Sequence, residues 1–197
     1  MDERDAAARD LARIRTLMER AGRYSNLSGY SAILAGLLAV GGAVACKLTG
    51  TNFNDPSQAR PLAVIWGSVL GLAILQHLAF TIVHARQAAE PAWSPLVQQV
   101  VLAVLPAFFV GATITGYGLQ TGQLDLLPPI WMLAHGSTLM ALGLYAGKRF
   151  QVVGALFLLL GALGLWYWKE YGLRLMLASF GGLHVLLGAW MRWKPRP

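Results

Sequence analysis

The stretch KRFQVVGALFLLLGALGLWYWKE, residues Lys148 to Glu170, decides the fold class. Between Lys148–Arg149 and Lys169–Glu170, the 19 residues from Phe150 to Trp168 carry no charge. At about 1.5 Å per residue a helix of that length nearly matches the roughly 30 Å of a bilayer's hydrocarbon core. Hydrocarbon offers peptide groups no water, so the run must satisfy its own hydrogen bonds as a helix.

Working outward, similar stretches occur at about Tyr30 to Leu48, Leu62 to Val83, Leu96 to Gly118, Leu127 to Ala146 and Leu173 to Met191. The composition agrees: 56% of the 197 residues are hydrophobic and 13% charged, with a mean hydropathy of +0.51. That is a membrane composition and the length of one domain. The expected architecture is all-α: a polytopic bundle of six transmembrane helices over residues 30–191. A cytoplasmic amphipathic helix and linker (1–29) precede it and a basic cytoplasmic tail (192–197) follows. The opening residues lack the short apolar core and cleavage site of a secretory signal, so the first span is expected to be a genuine helix.

The net charge of +7 orients the bundle. Arg4, Arg9, Arg13, Arg15, Arg20, Arg23, Arg86, Lys148, Arg149, Arg192, Lys194 and Arg196 fall on one side of a six-span layout. Only Lys47, Arg60, Lys169 and Arg174 fall on the other. The positive-inside bias places both termini in the cytoplasm, with the chain in a bacterial inner membrane. Basic residues at the ends of apolar segments give no reason to expect direct nucleic-acid binding. Cys46, the one cysteine, can form no intramolecular disulfide and reads as inert.

Pro61 and Pro95 suit first helical turns, and Ser94 suits an N-cap, as do Ser25, Asn26 or Ser28 before the first span. Tyr24, Trp66, Trp93, Trp131, Tyr145, Trp166, Trp168, Trp190 and Trp193 sit near span ends, where aromatic rings favour the headgroup layer. Small residues four apart predict close helix packing or a homo-oligomeric or membrane-partner face. These steps are Ala32–Gly36, Gly67–Gly71, Ala112–Gly116 and Ala178–Gly182. Pro106 is expected to kink the third span. Residues Met132 to Lys148 also echo Met176 to Trp193, aligning Gly136 with Gly181, Gly143 with Gly188 and Tyr145 with Trp190, as in duplicated helical hairpins.

Before the first span, Ala7, Leu11, Ile14, Met18 and Ala21 alternate at spacings of four and three and form one apolar seam. The seam serves either as a docking surface, centred on Leu11, Ile14 and Met18, or as a face resting on headgroups.

The run Met18-Glu19-Arg20, then Arg23-Tyr24, Leu27-Ser28-Gly29-Tyr30-Ser31 and Leu34-Ala35-Gly36, resembles the start of an uncharacterised family of small bacterial multi-pass membrane proteins. Phe180-Gly181-Gly182-Leu183-His184-Val185, Gly188 and Lys194 are similar to that family's last span and basic exit. Members are often encoded beside a winged-helix transcriptional regulator, so the resemblance implies a regulatory context, with no catalytic residues to carry over.

No Asp, Glu, Lys or Arg falls well inside a span, which argues against a proton-driven transporter. The polar residues there include His77, His84, His135 and His184. His135 lies about eight residues into its span and His184 about eleven into its own, and both helices descend from outside. Their depths therefore differ by only about 5 Å, and the two rings could face one another. Paired imidazoles could bind a b-type haem or a metal, and His77 with His84 share a face that could serve likewise; the bland alternative is helix-to-helix hydrogen bonding. Thr113, Thr115, Ser137 and the histidines could instead line a permease cavity. Ser137 and His184 are also similar to the Ser/His dyad of rhomboid proteases, but Ala134-His135-Gly136-Ser137-Thr138 departs from GxSG. Phosphate loops, dinucleotide fingerprints and HExxH are absent. The leading expectation is a non-enzymatic membrane protein without a cofactor, acting as a partner, sensor or membrane-anchored regulator.

Overall fold

The computed structural model describes residues 28–87, 89, 91 and 93–193. The amphipathic seam at Leu11, Ile14 and Met18, and the tail beyond Trp193, lie outside the described residues. Those described contain no strand. Six long helices follow one another among them: α1 (Gly29–Thr49), α2 (Ala59–Gln87), α3 (Pro95–Thr121), α4 (Leu127–Ala146), α5 (Lys148–Tyr167) and α6 (Gly172–Arg192). Each lies within a few residues of an expected span. All but α4 are long and apolar enough to cross a membrane. In α4, which has 20 residues, Pro128, Pro129, His135, Ser137 and Thr138 dilute the apolar character.

Local chemistry sets the ends. Ser94 caps α3, its hydroxyl accepting from the Val97 N–H at 3.3 Å, with Pro95 in the first turn. Asp55 caps the 3-10 turn Pro56–Gln58 that leads into α2, accepting from the Ser57 N–H at 2.9 Å. Ser28 takes the extended conformation ahead of α1 without a side-chain cap bond. The break between α4 and α5 is Gly147, at φ 99°, and α5 already begins at Lys148. A residue with a Cβ rarely adopts that backbone, which makes glycine the natural hinge. Pro106 sits inside a helix that continues through it.

The closest helix pairs are α4 with α5 and α1 with α6. α2 packs on α1, α3 packs on α4, and α2 and α3 barely touch. α1 and α6 are antiparallel, so that Arg192 stacks 3.8 Å from the Tyr30 ring at one end of the bundle. At the opposite end Asn54 donates to the Glu170 carbonyl at 2.9 Å.

Glycines make the closest approaches, and they repeat. A Cβ on Gly36 of α1 would lie 2.8 Å from the Gly181 carbonyl of α6 and 3.1 Å from the Val185 amide. A Cβ on Gly154 of α5 would lie 2.9 Å from both the Gly136 carbonyl and the Met140 amide of α4. Likewise Gly188 abuts Gly29 and Ile33, as Gly143 abuts Gln151. Ile33, Gly36 and Val40 thus recur, at identical spacing, as Gln151, Gly154 and Leu158. The sequence echo is therefore a repeated contact, α6 on α1 and α4 on α5. It is not a repeated hairpin, because the first of these pairs joins the first and last of the described helices, which are not consecutive in the chain.

The other small-residue steps behave differently. Added Cβ atoms on Gly67, Gly71 and Gly116 would meet nothing within 4 Å, and Ala178 is exposed. Of the four expected steps only Ala32–Gly36 is a helix contact, and the seat expected at Gly182 falls one residue earlier, at Gly181.

Candidate functional site

Because α2 and α3 scarcely meet, the bundle keeps a partly open cavity of about 340 Å³ between α2, α3, α4 and α6, with α1 as its back wall. Phe53, Leu62, Leu119 and Leu127 line it near the Asn54–Glu170 end of the bundle. Trp66, Phe108, Trp131 and Phe180 supply aromatic walls, and His77, His135 and His184 are its histidine lining. Gly67, on the α2 wall, leaves the space beside it empty.

The wall between α3 and α4 is fixed by a short hydrogen-bond chain. Trp131 Nε1 donates to Thr115 Oγ1 at 2.8 Å, and that hydroxyl donates to the Gly111 carbonyl at 2.8 Å. Gly111 lets the indole lie close, since a Cβ there would be 3.3 Å from the ring. Trp131, near the start of α4, is half-buried against α3, held by a threonine that satisfies its N–H. Trp66 also lines the cavity and packs 6.2 Å from Phe53.

A second chain ties α2 to α1. Ser31 Oγ donates to Gln76 Oε1 at 2.9 Å and lies 2.5 Å from His77 Nδ1, while Gln76 Nε2 donates to the Ser31 carbonyl at 3.3 Å. A hydroxyl has one proton, and it is spent on Gln76. His77 must therefore donate through Nδ1, leaving Nε2 as the ring's acceptor.

His135 and His184 face one another as their depths anticipated. Their ring centroids are 4.8 Å apart at 33°. Phe157 meets both edge-on, and Phe180 stacks on His184 at 5.8 Å and 19°. Residues Leu177–Leu183 are π-helical, the wider winding often found at functional sites, and they deliver Phe180 and His184 to the same cluster. His135 Nε2 is buried and makes no hydrogen bond, and His184 Nδ1 is buried with no partner of good geometry, only the Phe180 and Ser179 carbonyls of its own helix beside the ring. Each such group costs about 1–3 kcal/mol relative to a satisfied one.

The other sequence candidates lie apart. Ser137 is exposed and its hydroxyl donates to the Leu133 carbonyl at 2.9 Å, so it forms no dyad with His184. Thr113 likewise bonds to the Phe109 carbonyl of its own helix, and His84 Nδ1 pairs with the Phe80 carbonyl. Of the polar set proposed for a permease, only Thr115 and three histidines reach the cavity. Ser31, which positions His77, carried no sequence signal: one serine near a span end looks like any other small residue.

A haem iron between His135 and His184 needs two metal–nitrogen bonds of roughly 2 Å, end to end, which separates the ring centroids by roughly 6 Å. The observed rings lie side by side and closer, so a porphyrin does not fit between them. Among the described residues, no group of three or more His, Cys, Asp or Glu is clustered as for a metal ion.

Comparison with known proteins finds no matching family model, no similar curated protein and no matching solved structure.

Proposed function

We propose that this chain is a six-span bacterial inner-membrane protein, both termini cytoplasmic, that binds a lipophilic small molecule within its bundle. It acts without catalysis, as a sensor or membrane-anchored regulator. One observation carries this reading: an apolar cavity of about 340 Å³ lined by histidines whose buried imidazole nitrogens lack well-placed partners. That size lies within the usual range for small-molecule sites, which are mostly apolar with a few convergent polar groups. The distribution of Arg and Lys supports the orientation. The sixth crossing, α4, is supported by its length of 20 residues and by its enclosure: Met132, Gly136, Thr138 and Leu139 are buried against neighbours. A helix sheathed in protein tolerates polar residues that a lipid-facing one does not. The resemblance to a family encoded beside winged-helix regulators favours a regulatory over a metabolic role.

The test is equilibrium binding of 1-aminoanthracene, a neutral fluorescent ring, to protein purified in maltoside detergent. Saturable binding at about one probe per chain is expected, and Gly67→Phe, which projects a ring into open space, should abolish it. Partition into micelles without saturation, or saturable binding untouched by Gly67→Phe, would overturn the reading.

A further inference from the structure

We propose that the cavity's occupant is a lipid-borne quinone, with its ring against the histidines and its tail leaving between α2 and α3. This rests on the binding reading above and names the ligand's chemical class. Four observations narrow the class. Among the described residues no Lys, Arg, Asp or Glu lines the cavity, so a carboxylate, phosphate or ammonium head would be buried without a counter-charge from them. The head group is therefore uncharged.

His135 Nε2 makes no bond among the described residues, and His184 Nδ1 has no partner of good geometry, only the carbonyls of Phe180 and Ser179 on its own helix beside the ring, although buried polar groups are nearly always paired. A neutral imidazole nitrogen either donates or accepts, so the two are satisfied by a head group that offers an acceptor or a donor, such as a carbonyl for a donating nitrogen or a hydroxyl for an accepting one. A quinone and its quinol present these two forms on one ring. Phe108, Trp131 and Phe180 line the same cavity as the histidines, and aromatic side chains favour flat rings in offset or edge-on contact.

Size and access agree. A cavity of about 150 Å³ holds benzene; about 340 Å³ accommodates a substituted ring and the start of its tail. The open side lies where α2 and α3 part, on helices whose outward residues, such as Leu72, Leu75 and Phe109, are exposed apolar groups. A ligand dissolved in lipid enters there without crossing water, and its tail can stay in lipid.

The experiment titrates the protein in maltoside with a decyl-substituted dimethoxy-methyl-benzoquinone, following tryptophan emission and counting bound molecules by native mass spectrometry. One quinone per chain is expected, bound at least about tenfold more tightly than decylbenzene, which has the ring and tail without oxygen. His135→Leu or His184→Leu should each weaken quinone binding about tenfold while retaining 1-aminoanthracene, and Ser137→Ala should change nothing. Equal binding of quinone and decylbenzene by the wild-type protein would overturn the proposal without need of any variant. If the quinone fails to saturate while 1-aminoanthracene binds and Gly67→Phe blocks it, the quinone assignment falls and the cavity reading stands. If neither binds, both fall.

Discussion

Gly36→Ala and Gly67→Ala are the same chemical change on neighbouring helices, and the packing assigns them opposite signs. At Gly36 the new Cβ would lie 2.8 Å from the Gly181 carbonyl oxygen, 0.6 Å inside the 3.4 Å at which ordinary contact begins. Its other near neighbours are the Val185 amide at 3.1 Å and the Val185 Cγ2 at 2.8 Å. Two of the three are held rigidly by α6, one as backbone amide and one as backbone carbonyl, so α1 and α6 must separate. Overpacking of this kind costs about 1–3 kcal/mol, partly offset by the roughly 1 kcal/mol by which Ala outranks Gly in a helix. At Gly67 the Cβ meets nothing, and only the favourable helix term remains. Thermal stability in detergent, followed by fluorescence-detected size exclusion, should fall by up to a few degrees for Gly36→Ala and rise slightly for Gly67→Ala, at about 2–4 °C per kcal/mol for a chain of this length. A matching fall at both positions would refute the packing assignment, because it would mean that α2 seats its glycines on a neighbour.

Ser94→Ala should cost about 0.5–2 kcal/mol through the lost cap of α3, seen as faster hydrogen exchange at Val97 with little change at Gly122. Trp131→Phe should keep the cavity wall but leave Thr115 without its indole donor; a stability loss of about 1 kcal/mol, read from the same thermal assay, is expected. Asp55 is held below its ordinary carboxylate value by its bonds from the side chain and backbone of Ser57. A depressed carboxylate contributes its stabilisation above the unfolded value and loses it as pH falls through the folded one. The protection factor at the Ser57 amide, corrected for the intrinsic pH dependence of exchange, should therefore stay constant across neutral and mildly acidic pH and fall only in acid below the ordinary carboxylate value, and Asp55→Ala should remove that fall.

Much of the fold was legible because a membrane helix needs only length and the absence of charge. Phe150 to Trp168 announces itself between two charged pairs, and counting rise per residue was enough to bring His135 and His184 together. Which faces meet was not legible: spans apolar nearly all round give periodicity nothing to report. Gly36 and Gly67 belong to equally plausible small-residue steps in the sequence, yet one seats a neighbouring helix and the other meets none. Trp131 illustrates the same gap. Proximity to a span end marks it as a ring for the headgroup layer, while its bond to Thr115 on another helix has no signature in the sequence. The echo of α4 in α6 was visible, but its partners α5 and α1 became comparable only through their shared contacts.

Whether α4 crosses the bilayer decides the topology, and with it the claim that the histidine cavity lies at membrane depth. With the buried Cys46 replaced by Ala, single cysteines at the exposed positions Thr121, the last residue of α3, and Lys148, the first of α5, flank α4 and can be challenged in spheroplasts with a membrane-impermeant maleimide. Thr121→Cys should react in intact spheroplasts and Lys148→Cys only after lysis. Equal labelling of the two before lysis would contradict the six-span bundle.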